Sequence, residues 1–153
     1  MIMQELNLPS YEFRLKKDDG QVRIFDEVRK KYVALTPEEW VRQHFIMYLI
    51  NQKQVPAGLI ILEKQLIMNK MSRRPDILIH NRQGEAVMIV ECKAPEVNIT
   101  QDTFDQVARY NSVLSVQYLV VTNGLQHFCC QMDYKGNTYR FLEEIPGYNE
   151  MTA

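Results

Sequence analysis

The residues with the clearest chemical potential are Glu91 and Lys93, which flank Cys92 at the end of the apolar run Val87, Met88, Ile89 and Val90. Alternate residues of a strand share a face, so Glu91 and Lys93 point one way and Cys92 points into the opposite layer. A carboxylate and an ammonium closing such a strand are costly unless they are paired or bound to an ion. A second carboxylate, Asp76, opens the preceding apolar segment in Arg73-Arg74-Pro75-Asp76-Ile77-Leu78. If segments 75–80 and 86–93 pair as a hairpin, the start of one lies beside the end of the other, and Asp76 falls next to Glu91 and Lys93. Two carboxylates, a backbone carbonyl and waters suit Mg²⁺, with Mn²⁺ as a substitute. Such an ion bridges to a phosphate oxygen and neutralises developing charge, while a neighbouring lysine orients the attacking water or stabilises the transition state. Plainer readings stand beside this one: a cross-strand Glu91–Lys93 ion pair, and Asp76 as a turn residue.

The elements that must position these groups are legible in outline. Asp18-Asp19-Gly20 between Tyr11–Lys16 and Gln21–Phe25 signals an N-terminal β-hairpin over about 11–26, followed by a charged stretch from Asp26 to Lys31. Thr36-Pro37-Glu38-Glu39 is a helix start, with a capping hydroxyl, a proline at the first turn and acidic residues at the positive end of the dipole. That helix should run to about Gln52, burying Val41, Phe45, Tyr48 and Leu49. Strands are expected over Leu59–Ile67, Pro75–His80 and Ala86–Lys93, with Asn81-Arg82-Gln83-Gly84 as the turn between the last two. The third is apolar on both faces, as in a central strand. A helix over about Thr100–Leu114 precedes strands at Gln117–Thr122, Leu125–Met132 and Thr138–Leu142, and the tail from Glu143 reads as irregular. The expectation is an α/β chain, a mixed sheet flanked by helices, forming one domain over 1–153 with its core at about 36–122 and C-terminal strands at about 125–142.

The bulk numbers limit the function. A net charge of −1 over 153 residues is not that of an outright nucleic-acid binder, so any polyanion contact must rest on local basic patches. Three cysteines without a framework fit a reducing compartment, and no CxxC or HxxxH pair suggests zinc. The three histidines, His44, His80 and His127, are scattered. No apolar run reaches 18 residues and the first residues lack the pattern of a signal peptide, so the expectation is a cytoplasmic protein without membrane contact.

Pro75-Asp76 followed by Glu91-Cys92-Lys93-Ala94-Pro95 resembles the motif of the PD-(D/E)xK nuclease superfamily. Gln106-Val107-Ala108-Arg109-Tyr110 is similar to the QxxxY element of some of its branches. Pro37-Glu38-Glu39-Trp40-Val41-Arg42-Gln43 looks like the first helix of the N-terminal nuclease domain of type I restriction enzyme R subunits. The resemblance spans roughly Thr36 to Thr122 and implies a restriction-endonuclease-like sheet and a Mg²⁺-dependent DNA endonuclease. It makes Asp76 and Glu91 the metal ligands and Lys93 the catalytic lysine. It adds an acidic residue of the first helix, with Glu38 preferred because it leads the Val41/Phe45 stripe and Glu39 in reserve. Gln106 and Tyr110, sharing a helix face, would support the site or touch nucleic acid. Apart from the resemblance, the charge runs Arg73-Arg74 and Arg29-Lys30-Lys31 read as solvated faces, with a phosphate-gripping role expected for Arg74 alone. R subunits carry a helicase motor after this domain, whereas this sequence has no GxxxxGK[ST] loop. The implied partners are therefore DNA, a separate motor or specificity subunit, and a second copy where two strands are cut. The rival expectation is a non-catalytic nucleic-acid-binding or scaffolding module that keeps the fold.

Overall fold

Asp19 and Gly20 both adopt positive φ, 49° and 78°, and this two-residue turn joins β1 (Leu15–Asp18) to β2 (Gln21–Asp26). These turns and strands come from a computed structural model that describes residues 4–62, 66–68, 71–73 and 75–153, with the backbone alone for 66–68, 71–73 and 110–113. The expected hairpin is a three-stranded antiparallel sheet, because the chain returns as β3 (Lys31–Ala34) beside β2. The charged stretch conceals the turn responsible: the Asp26 carboxylate accepts the N–H groups of Val28 and Arg29 (2.9 and 2.8 Å), and Lys30 takes φ 56°. Tyr11 and Phe13, expected in the first strand, instead lie over a helix, while the Arg14 carbonyl still accepts the Phe25 N–H of β2 at 2.9 Å. Phe13 packs on Trp40 and His44, and Tyr11 donates to Gln52 (2.8 Å).

That helix, α1 (Pro37–Gln52), starts as expected, with Thr36 Oγ1 accepting the Glu39 N–H at 3.0 Å. Val41, Phe45 and Leu49 are fully buried, but Trp40, Arg42, Gln43, His44 and Ile46 are buried too, whereas Tyr48 is only partly buried. The reason is its position. One apolar cluster joins Ile24 of the first sheet and Leu35 just after it, Phe45 and Leu49 of the helix, and Ile77, Ile79 and Val90 of a second sheet. A helix covered on two sides has no single buried stripe.

The expected strand at Leu59–Ile67 divides into a 3₁₀ turn (Ala57–Leu59), β4 (Ile60–Leu62) and β5 (Leu66–Met68), because its halves find different partners. β5 pairs with β6 (Met71–Arg73), and β4 with β7 (Ile77–His80). The remaining strands are β8 (Ala86–Cys92), β9 (Tyr118–Thr122), β10 (His127–Asp133) and β11 (Thr138–Leu142). They complete a six-stranded mixed sheet of order β11-β10-β9-β8-β7-β4, in which only β8 and β9 run parallel. The parallel pair needs a crossover, supplied by α2 (Gln101–Leu114). A second apolar cluster, with Leu78, Ile89, Phe104, Val107 and Leu119, fills the space under this helix. β8 is therefore covered on both faces, as its composition required.

The tail is not wholly irregular. A short helix, α3 (Tyr148–Met151), buries Tyr148 and Met151, with Glu150 accepting the Gly147 N–H (3.2 Å) and Tyr148 donating to the His80 carbonyl (3.0 Å). No helix among the described residues is long and apolar enough to cross a membrane.

Candidate active site

β7 and β8 pair in the antiparallel register Ile77↔Val90, Leu78↔Ile89, so Asp76 precedes the first pair and Glu91 follows it. The Asn81–Gly84 turn makes this register: Asn81 Oδ1 accepts the N–H groups of Gln83 and Glu85, and Gly84 supplies φ 85°. Asp76 is 7% exposed. Its Oδ2 accepts the Cys92 N–H at 2.7 Å, which seats the carboxylate against the backbone midway between Glu91 and Lys93. Cys92 is fully buried in the cluster that contains α1, so Glu91 and Lys93 belong to the other face, and both are half-buried. Beyond the strand, the Lys93 N–H donates to Thr122 O at 2.8 Å, which anchors the lysine to β9.

The first helix completes the group. Arg42 Nη2 donates to Asp76 Oδ1 at 2.6 Å and lies 3.3 Å from Glu38 Oε1, so Glu38 and Asp76 share one guanidinium nitrogen. The two neighbouring glutamates separate here. Glu38 retains 48% side-chain exposure. Glu39 is buried in an internal network, accepting from Arg42 Nη1 and from Gln43 Nε2 (2.8 Å), with Arg29 Nη2 at 3.6 Å. Gln43 Nε2 also donates to Asp26 (2.9 Å), whose carboxylate binds Arg29 Nε (2.8 Å). A continuous line of polar contacts thus runs from the small sheet to Asp76.

Charge follows from this packing. Burial, then the Asp76 charge, raises the Glu38 pKa, and Arg42 and Lys93 oppose the rise. Burial would lower the pKa of Arg42, but Asp76 and Glu39 more than offset it, so this cation is permanent. Burial, with Asp76, Glu91 and Glu38 nearby, pushes the Cys92 thiol well up, leaving an inert packing group. Burial lowers the pKa of His44 and of His127. Each is tied to a carbonyl, His44 to Trp40 and His127 to Asn7, both at 2.8 Å, in structural roles away from the carboxylates.

The folded chain therefore ties Glu38 and Asp76 to one guanidinium and seats Asp76 on the backbone between Glu91 and Lys93. Gln106 is exposed on α2, and no hydrogen bond joins it to this group. Tyr110 lies four residues along the same helix, but its side chain, like the whole of Arg74, falls outside the described residues. Arg42 was missed as a member of the site. Its i+4 and i+3 spacings from Glu38 and Glu39 are readable as helix ion pairs, but its reach to Asp76, 34 positions away, is not. Among the described residues no three His, Cys, Asp or Glu side chains converge closely enough to hold an ion unaided.

Comparison with known proteins follows the same residues. A family model described as type I restriction enzyme R protein N terminus matches residues 37–146, a span that takes in every residue named above for the site. The fragment structure of a putative HsdR subunit of a type I restriction enzyme from Vibrio vulnificus YJ016 shares the fold, with a TM-score of 0.52 over 75% of this chain at 17% identity. This chain spans about a quarter of that one, 24% of its length. A search of curated proteins finds no match.

Proposed function

The chain belongs to the type I restriction enzyme R protein N-terminal family, and from that premise we propose that it is a divalent-metal-dependent DNA endonuclease domain of the PD-(D/E)xK type. The observation that carries this reading is the 2.7 Å contact of the Asp76 carboxylate with the Cys92 N–H, between Glu91 and Lys93. Asp76 and Glu91 would hold Mg²⁺ or Mn²⁺, with Glu38 assisting. The donor set fits: all three offer hard carboxylate oxygens. Glu38, Asp76 and Glu91 outnumber Arg42 and Lys93 by one negative charge, a balance that favours a cation. Among the described residues each Asp76 oxygen has one hydrogen-bond donor and so keeps a lone pair for a cation. With so few protein ligands, water, a backbone carbonyl and phosphate oxygens complete the shell, as suits Mg²⁺.

The bound ion supplies polarisation of the phosphate and neutralisation of its charge. The chain's own groups do the rest. Lys93 donates a hydrogen bond to the attacking water or to a phosphate oxygen, where charge builds in the transition state. Glu38, with its proton affinity raised by burial and by Asp76, accepts the proton of that water. Arg42 holds Asp76 in place and shares its Oδ1 with any cation that arrives. The partners in this reading are DNA and the motor and specificity subunits of a type I assembly, with a second copy where both strands are cut.

The test is nicking of plasmid DNA with Mg²⁺ or Mn²⁺ against Lys93→Ala. The expected loss is about 10²-fold or more, the scale for removing one transition-state donor; equal trace activity in both overturns the enzymatic reading. A second reading, a binding or scaffolding module that has kept the fold, is favoured by one observation: Arg42 already neutralises Asp76. Calorimetry separates the two, since the second requires no Mn²⁺ binding and no change on Asp76→Asn.

A further inference from the structure

The near-neutral total charge hides an asymmetry. Residues 14–34, which contain the three-stranded sheet, carry seven Lys and Arg against four Asp and Glu, a balance of +3; the rest of the chain carries eleven against fifteen, a balance of −4. The register Lys16↔Arg23 and Phe25↔Tyr32 sets one face of this sheet. Arg14, Lys16, Arg23, Phe25 and Tyr32 share it, while Ile24 and Asp26 alternate to the buried side.

On that outer face the rings form a floor for the cations. The Arg14 guanidinium carbon lies 3.9 Å from the Phe25 ring centroid, Lys16 Nζ lies 4.4 Å from that of Tyr32, and the two rings meet edge to face at 5.2 Å. Cations held on aromatic faces lose less freedom when they grip an anion. Their present counter-ions are weakly held. Arg14–Glu27 (3.5 Å) and Arg23–Asp18 (3.8 Å) are long ion pairs between exposed or partly exposed side chains, a class worth little and readily exchanged for phosphate. The buried side of the same sheet is tied to the candidate site: β2 ends at Asp26, from which the polar contacts through Gln43, Glu39 and Arg42 lead to Asp76.

We propose that the outer face of the three-stranded sheet, through Arg14, Lys16 and Arg23, is the surface that grips the DNA backbone. The inference rests on the endonuclease reading for the identity of the polyanion. It differs in placing the affinity on a sheet that takes no part in the chemistry.

The test is fluorescence anisotropy of a labelled 20-base-pair duplex with the full chain in EDTA, where no cleavage occurs. The Arg14→Gln/Lys16→Gln/Arg23→Gln variant is compared with a charge-matched control, Arg82→Gln/Lys135→Gln/Arg140→Gln, at exposed positions elsewhere. The sheet variant is expected to lose roughly 10–100-fold in affinity at low salt and to flatten the salt slope by about 2–3, while the control changes less than about threefold. Equal losses in the two variants, or none in the first, overturn the grip and leave the Lys93→Ala nicking contrast untouched. A wild-type chain that binds no duplex at any salt overturns both the grip and the DNA-cutting reading.

Discussion

Two buried aspartates, Asp26 and Asp76, sit at opposite ends of one line of polar contacts and end differently. Asp26 is 0% exposed and accepts four hydrogen bonds, from the Val28 and Arg29 N–H groups, Arg29 Nε and Gln43 Nε2. Burial would raise its pKa, but these donors hold its carboxyl below the usual range. Asp76 lies at a strand end and accepts two, from Arg42 and from the Cys92 N–H. The first carboxylate is saturated from within and closes a turn. The second is held in position with bonding capacity left over. Burial alone does not distinguish the two carboxylates; the number of donors each receives does.

Substitution at the two aspartates should break this comparison most sharply. Asp76→Asn still accepts the Cys92 N–H, so the variant should fold while nicking falls by about 10³-fold or more, on the scale of a lost charge-stabilising group. Asp26→Asn should do the reverse, costing about 3–5 kcal/mol in urea melts because the buried 2.8 Å ion pair with Arg29 is broken, with the folded fraction still able to bind Mn²⁺. If Asp26→Asn loses Mn²⁺ affinity and keeps its stability, the assignment of roles is inverted.

Arg42 links the two ends, and Arg42→Gln sharpens the comparison next. Removing a unit charge a few ångströms from the ion should tighten Mn²⁺ binding by about tenfold or more, read by calorimetry; unchanged or weaker binding would show that Arg42 does not compete for Asp76. Glu38 and Glu39 repeat the contrast one residue apart. Glu39→Gln should cost about 1–3 kcal/mol of stability, as expected for a buried charged acceptor. Glu38→Gln, at a half-exposed side chain, should leave the melt nearly unchanged and lower nicking.

The smallest effect expected is on pH. His44 and His127 have pKa values lowered by burial. The unfolded chain therefore takes up protons near pH 6.5 that the folded chain refuses, and stability falls as pH drops through that value. Urea midpoints at pH 7.5 and 5.5 check the sign; a higher midpoint at the lower pH would contradict it.

Much of the fold was legible because its signals are local. Thr36-Pro37-Glu38-Glu39 caps α1 as expected, Asn81–Gly84 turns β7 into β8, and the uniformly apolar β8 lies inside the sheet. The misses share one cause. The charged stretch 26–31 hides an aspartate-capped turn, so β3 was overlooked. The single strand expected at 59–67 is split because its halves pair with different neighbours. The burial of α1 on nearly every side reflects a second sheet that no window of the helix reveals.

The sequence by itself determined the elements and the chemistry available to them: a strand ending in Glu91 and Lys93, a carboxylate at the head of its neighbour, and a helix starting with two glutamates. Leaving Glu38 half-exposed while burying Glu39, seating Asp76 on the Cys92 N–H and bringing Arg42 to Asp76 were decided only by the packed structure. Dihedral preferences and alternation act over a few residues. The energy of a buried charge depends on every partner the chain brings to it, and the partner that matters most to Asp76 lies 34 positions away.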